Sequence, residues 1–178
     1  LWLNSLGAEV KGYSLAAEEN SHYLTAKVGD SVDSIEGDIC DFDHLRREIE
    51  SFQPHFVFHL AAQALVGYSY DNPIETINSN VLGTASLLDS CRGVESLSAV
   101  LVITTDKVYE NLEKGFAFKE IDRLGGKDIY SASKAAAEIV VSSYRNSFFE
   151  GESSPLIAVA RAGNVIGGGD WSENRLVP

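Results

Sequence analysis

Ala99-Val100-Leu101-Val102-Ile103-Thr104-Thr105-Asp106-Lys107 is the stretch on which the fold turns. Its first five residues are continuously apolar and rich in β-branched side chains, as in a buried strand, and the run then breaks into hydroxyls and charge. Working outward, Phe56-Val57-Phe58-His59-Leu60 repeats the pattern upstream and turns away at Ala61-Ala62-Gln63. Leu156 to Arg161 repeats it downstream. Shorter strands are predicted at Val10 to Leu15 and at Ser31 to Glu36, the latter followed by Gly37-Asp38-Ile39. Helical periodicity fills the intervals. Phe42, Leu45, Ile49 and Phe52 define a helix that stops at Pro54, and Asp41 suits its N-cap. Pro73 to Arg92 forms a long helix with Pro73 in its first turn. Tyr130 to Phe148 carries Tyr130, Lys134, Ala137, Val141, Tyr144 and Phe148 on one stripe. Leu1 to Gly7 reads as a helix end with a glycine stop.

Apolar strands separated by helices specify an α/β fold, a doubly wound parallel sheet covered on both faces. Such sheets take ligands at the carboxyl ends of their strands. Every polar cluster of interest falls there: Ser14, Asp38, Ala61 to Gln63, Thr104 to Lys107, and Arg161 to Asn164.

Composition narrows the function. The 178 residues are 44% hydrophobic and 22% charged, enough for one domain with a real core and not a disordered chain. No apolar run is long enough for a membrane span. A net charge of −12 argues against nucleic acid and anionic membranes as partners. Cys40 and Cys91 lack the spacing of a zinc site and read as buried thiols of a reducing, cytoplasmic compartment. His22, His44, His55 and His59 show no ligand spacing, so no metal is expected, and His59 reads as a core histidine. The absence of methionine, even at position 1, suggests an internal fragment.

Tyr130-Ser131-Ala132-Ser133-Lys134 places a phenol and an ammonium one helical turn apart on one face. A lysine cation favours the phenolate, which can then take a proton from a sugar or alcohol hydroxyl. The spacing alone is common. Its context is not, because later members of the same stripe are apolar and Thr104-Thr105-Asp106-Lys107 follows a buried strand about 25 residues upstream.

With these motifs the chain resembles the extended short-chain dehydrogenase/reductases, in particular the nucleotide-sugar 4,6-dehydratases. Tyr130 with Lys134, Asp38-Ile39, Leu60-Ala61-Ala62-Gln63, Asn80-Val81-Leu82-Gly83-Thr84 and Arg161-Ala162-Gly163-Asn164 carry the likeness. It implies an NAD(P)-binding Rossmann fold truncated at both ends. Residues 1–178 would be a partial domain, with about 164–178 leading into a missing substrate-binding domain. Lysine in Thr105-Asp106-Lys107, with Val108-Tyr109-Glu110-Asn111 and Gly163 to Trp171, is similar to the branch that acts on CDP-glucose.

The resemblance implies a mechanism. Tyr130 takes the C4 hydroxyl proton as hydride leaves for the nicotinamide, Lys134 holds phenolate and ribose, and Thr105 hydrogen-bonds the same oxygen. Lys107 takes the C5 proton and Asp106 protonates the departing C6 hydroxyl. Lysine makes a poor base unless it is desolvated or crowded by another cation, so Asp106 and Lys107 are expected to share one proton. Cofactor contacts are implied at Ser14, Asp38, Ile39, Leu60, Ala61, Ala62, Gln63, Asn80, Thr104, Tyr130 and Lys134. Substrate contacts are implied at Asn164, Trp171, Arg175 and Leu176. NAD is the implied cofactor, with NADP left open because Ser14 stands where many relatives have an acid. A homodimer through helices 73–92 and 130–148 is implied too. Two alternatives remain at this point: another dehydratase or epimerase of the family, or a non-catalytic dinucleotide-binding module.

Overall fold

The computed structural model describes residues 1–113 and 115–167. It opens with α1 (Trp2–Ser5), which Gly7 ends with a φ of 87°, then β1 (Lys11–Ser14), α2 (His22–Thr25), a 3₁₀ turn at Val28–Asp30 and β2 (Asp33–Glu36). Next come α3 (Phe42–Phe52), β3 (Phe56–His59), α4 (Val66–Asp71) and α5 (Pro73–Ile77). A π-helical turn at Asn78–Leu82 joins α5 to α6 (Gly83–Ser90). β4 (Ala99–Thr105) runs into a 3₁₀ turn at Asp106–Val108, and α7 (Ile129–Phe148) and β5 (Leu156–Ala162) complete the order.

Two helices open on aspartate caps, the first of them at the residue expected. Asp41 accepts from the backbone N–H of His44 at 3.0 Å and opens α3. Asp128 accepts from both the backbone N–H and the hydroxyl of Ser131, at 2.9 and 2.7 Å, and opens α7. One apolar cluster then joins the layers. Leu45 and Ile49 of α3, Leu87 and Leu88 of α6 and Val141 of α7 pack on Val100, Val102 and Ile157. Each fully buried aliphatic side chain of this kind contributes about 1.5–3 kcal/mol.

All strand pairs are parallel, as the α/β reading requires, and the ends carrying polar clusters are brought level. In the β4–β5 ladder Thr104 lies opposite Arg161 and Thr105 opposite Ala162.

Several details differ from the sequence reading. The described strands form two sheets, β1–β2 and β3–β4–β5, with no ladder between β1 and β3. Helices α3, α6 and α7 pack on the larger sheet through the apolar cluster described above. The helix predicted from Pro73 to Arg92 is interrupted by the π turn and ends at Ser90. Cys91 is buried in the core, which pushes its thiol up to about 12, but Cys40 is exposed in the loop after β2.

Candidate active site

The ends of β1, β2 and β3 open on a cleft of about 1200 Å³ lined by Ser14, Asp38, Ile39, Ala61, Ala62 and Gln63, among others. Asp38 is exposed, and its Oδ1 accepts from the Cys40 backbone N–H at 2.8 Å. Ile39 is half-buried and meets α6 at Gly83, where a Cβ would come within 2.6 Å of its side chain. Only glycine at the start of α6 lets the cleft floor close this tightly. Leu60 points away from the lining and is 69% exposed.

Asn80 and Gln63 brace this floor from beneath. Asn80 is 1% exposed, accepts from the Gln63 backbone N–H at 2.8 Å, and donates to the Gln63 carbonyl at 3.0 Å and to Ser133 Oγ at 2.8 Å. The Gln63 side-chain amide donates to Thr76 Oγ1 at 2.8 Å and to the Leu65 carbonyl at 3.1 Å. Both amides expected at the cofactor therefore spend their hydrogen bonds on the protein, and Asn80 links the β3 turn to α7.

The second group gathers at the ends of β4 and β5. Thr104 and Thr105 are buried, and Asp106 and Lys107 turn outward. Lys107 Nζ donates to Asp106 Oδ1 at 3.3 Å and to Asn164 Oδ1 at 3.5 Å. Thr105 Oγ1 donates to the same Asp106 oxygen at 3.2 Å. The return chain is held close by the Glu110 N–H to Arg123 carbonyl bond at 2.9 Å and by an antiparallel bridge between Tyr109 and Leu124. At Gly126 a Cβ would overlap the Ala132 nitrogen, so glycine is required for the loop to enter α7.

Helix α7 packs against the Asp106–Val108 turn and brings Tyr130, half-buried in its first turn, to the same end of the sheet. Lys134 is only 5% exposed and donates to the Ile103 carbonyl at 2.9 Å. Burial pulls its ammonium down to about 8, against an opposing pull from the Glu138 carboxylate. His59, in the core as expected, shares a 2.9 Å hydrogen bond with Thr84 Oγ1, and burial followed by the nearby Lys134 charge lowers it to about 4.

One expectation about this group fails. Lys107 is exposed and Lys134, the cation expected to crowd it, is tied to the strand, so the desolvation that would make Lys107 a base is not supplied by the described residues. The Asp106–Lys107 contact needed for a shared proton is present. Trp171, Arg175 and Leu176 lie outside the described residues.

Glu138, absent from the sequence-derived candidates, is 6% exposed beside these groups and accepts from Thr104 Oγ1 at 2.6 Å and from Arg161. A signal for it existed: a charge four residues after Lys134 on the buried stripe of α7. Among the described residues, no cluster of His, Cys, Asp and Glu is arranged to hold a metal, and no helix is long and apolar enough to cross a membrane.

Comparison with known proteins bears on this arrangement. The family model described as GDP-mannose 4,6 dehydratase matches residues 3–151. The chain is 47% identical to CDP-glucose 4,6-dehydratase of Salmonella typhimurium strain LT2, over 100% of this chain and 51% of that protein. UDP-glucose 4-epimerase of Thermus thermophilus, solved in complex with NAD, superposes with a TM-score of 0.73 at 28% identity, over 88% of this chain and 48% of that one. A dTDP-glucose 4,6-dehydratase of Streptomyces venezuelae has the same fold, with a TM-score of 0.71 at 23% identity over 85% and 45% of the two chains. The chain spans about half the length of these relatives.

Proposed function

We propose that this chain, which belongs to the GDP-mannose 4,6 dehydratase family, carries the cofactor-binding and acid–base half of a lyase that converts CDP-glucose to its 4-keto-6-deoxy form. The observation that carries this reading is the convergence on α7. Lys134 is anchored on Ile103 with Tyr130 one turn before it, and the Thr105-Asp106-Lys107 turn packs against the same helix. A module that only bound a dinucleotide would need neither the acid nor the second amine.

The donor set fits NAD. An exposed carboxylate at Asp38 and the aliphatic Ile39 sit where an exocyclic amine and a flat ring can be held, and the small residues Ala61 and Ala62 allow close backbone approach. Ser14 offers no carboxylate against a 2′-phosphate, so binding of NADP is measured alongside. When bound, the nicotinamide supplies the means to take hydride from C4 and return it to C6.

The chain's own residues move the protons. Tyr130 takes the C4 hydroxyl proton, helped by the charge of Lys134, and Thr105 donates a hydrogen bond to the same oxygen. The ketone acidifies the C5 proton, which passes to Lys107 once the bound sugar excludes water from its exposed amine, and Asp106 protonates the leaving C6 hydroxyl. The 3.3 Å contact between Asp106 and Lys107 lets one proton serve both. Asn164, which accepts from Lys107 Nζ, is assigned to the sugar diphosphate, and Trp171, Arg175 and Leu176 are assigned to the substrate with it.

Exposed Ile74, Leu82 and Ile139 on α5, the π turn and α7 support pairing of two copies through these helices. The reading places the enzyme in the cytoplasm. Its test is a panel of nucleotide sugars with the full-length gene product, following 4-keto product and solvent deuterium at C5. Turnover of CDP-glucose above the UDP, GDP and dTDP sugars is expected, and epimerised product without loss of water overturns the reading. Asp106→Asn is expected to spare the first hydride transfer, seen as transient NADH absorbance, while loss of water slows; equal loss of both removes Asp106 as the acid.

A further inference from the structure

Resting on the dehydratase reading, we infer that Glu138 and Arg161 form a buried clamp that sets the distance between the helix bearing Tyr130 and Lys134 and the strand ends bearing Thr105 and Asn164. Neither side chain touches the reacting atoms in this account. Both are positioning residues.

The clamp is densely bonded. Arg161 Nε lies 2.9 and 3.1 Å from the two Glu138 carboxylate oxygens, and Nη2 donates to Oε2 at 2.5 Å. Thr104 Oγ1 adds a bond to Oε1 at 2.6 Å. The remaining arm of Arg161 donates to the Glu120 carbonyl at 3.1 Å, and its guanidinium lies 4.7 Å from the centre of the Tyr109 ring. Four segments therefore meet on this ion pair: α7, the end of β4, the loop after it, and β5. Only arginine has a fork of donors flat enough to grip a carboxylate, a carbonyl and an aromatic face together.

The position of the clamp gives it a purpose beyond cohesion. Glu138 lies one helical turn after Lys134, which itself holds the Ile103 carbonyl. Thr104, gripped by Glu138, immediately precedes Thr105, and Arg161 lies three residues before Asn164, which meets Lys107. A buried ion pair is a poor source of net stability, since replacement of both partners by apolar groups is often neutral or better. Retaining one here makes sense if its length matters, because acid–base groups misplaced by about 1 Å can lose about a hundredfold in rate.

The experiment uses the full-length gene product, after wild-type turnover of CDP-glucose has been shown. Absence of that turnover removes the dehydratase reading itself, before the clamp is tested. Glu138→Gln and Glu138→Asp are compared with wild type; the second keeps the charge and shortens the reach. Both are expected to lower kcat by about 10- to 100-fold while KM for the sugar and Kd for NAD stay within about twofold. A wild-type kcat in Glu138→Asp overturns the inference, as does a loss shared equally by KM and Kd. Should either variant fold poorly, the double replacement Glu138→Leu with Arg161→Met leaves neither member of the pair as a buried charge without its partner. Because this double replacement also removes the carboxylate that supports the buried Lys134 charge, loss of kcat in it counts for the clamp only when Glu138→Asp loses kcat as well, and wild-type turnover in it overturns the clamp.

Discussion

Ser14, Asp38 and the Ala61–Gln63 turn line an open cleft with exposed or half-buried side chains, whereas Thr104, Thr105, Lys134 and Glu138 lie buried, with Thr104 bonded to Glu138, Lys134 to the Ile103 carbonyl and Thr105 to Asp106. One region presents exposed and small side chains to a cleft, and the other makes its hydrogen bonds within the protein interior. A dinucleotide supplies its own amine, ring and ribose to the first region. Proton transfers have no such partner to organise them, so the second must hold its donors and acceptors in place beforehand. Asn80 ties the two together, since it grips Gln63 on one side and Ser133 on the other.

This contrast can be broken by substitution. Tyr130→Phe is expected to lower turnover by about a thousandfold with NAD binding, measured by titration calorimetry, within about twofold of wild type. A parallel fall in NAD affinity would show that the regions are not separable. An acid titration of stability, followed by denaturant unfolding, reads the buried side directly. His59 stands near 4 in the folded protein against 6.5 when free, so the unfolded chain binds a proton that the folded one refuses. Its contribution is complete above pH 6.5, and roughly 3 kcal/mol is lost as the pH falls to 4. His59→Gln should flatten that window.

Lys134→Met is expected to raise stability at pH 7 by roughly 1–3 kcal/mol while removing turnover. Burial holds Lys134 near 8, below its free value of 10.5, so the strain is absent above pH 10.5 and grows as the pH falls to 8. A destabilised Lys134→Met would mean that the Ile103 bond outweighs the buried charge. The smallest effect belongs to the open side. Asp38→Ala should weaken NAD binding about tenfold, roughly 1.4 kcal/mol, with kcat unchanged at saturation.

Much of this was legible beforehand, and for identifiable reasons. Helix α3 was bounded correctly because four apolar residues at spacings of three and four leave no other period, and Asp41 and Pro54 punctuate it. Helix α7 was legible for the same reason, with the Tyr130 and Lys134 stripe inside it. Helix α4 was not, since Val66-Gly67-Tyr68-Ser69-Tyr70-Asp71 is too short and too mixed to show a period. Glu138 escaped because a charge on a buried stripe shows its worth only when its partner, 23 residues away in sequence, is seen beside it.

The wide turn at Asn78–Leu82 carries a consequence for how this chain can vary in length. It holds one residue more than a regular coil would, and that residue lets Asn80 reach Gln63 while Thr84, next along, reaches His59. Deleting a single residue there would tighten the coil and shift the phase of everything after it by about 100°. Asn80 and Thr84 could not then both keep their partners. Lengthening or shortening should therefore be tolerated in surface loops and refused at this one internal bend, whose irregularity is what keeps two neighbouring contacts in register.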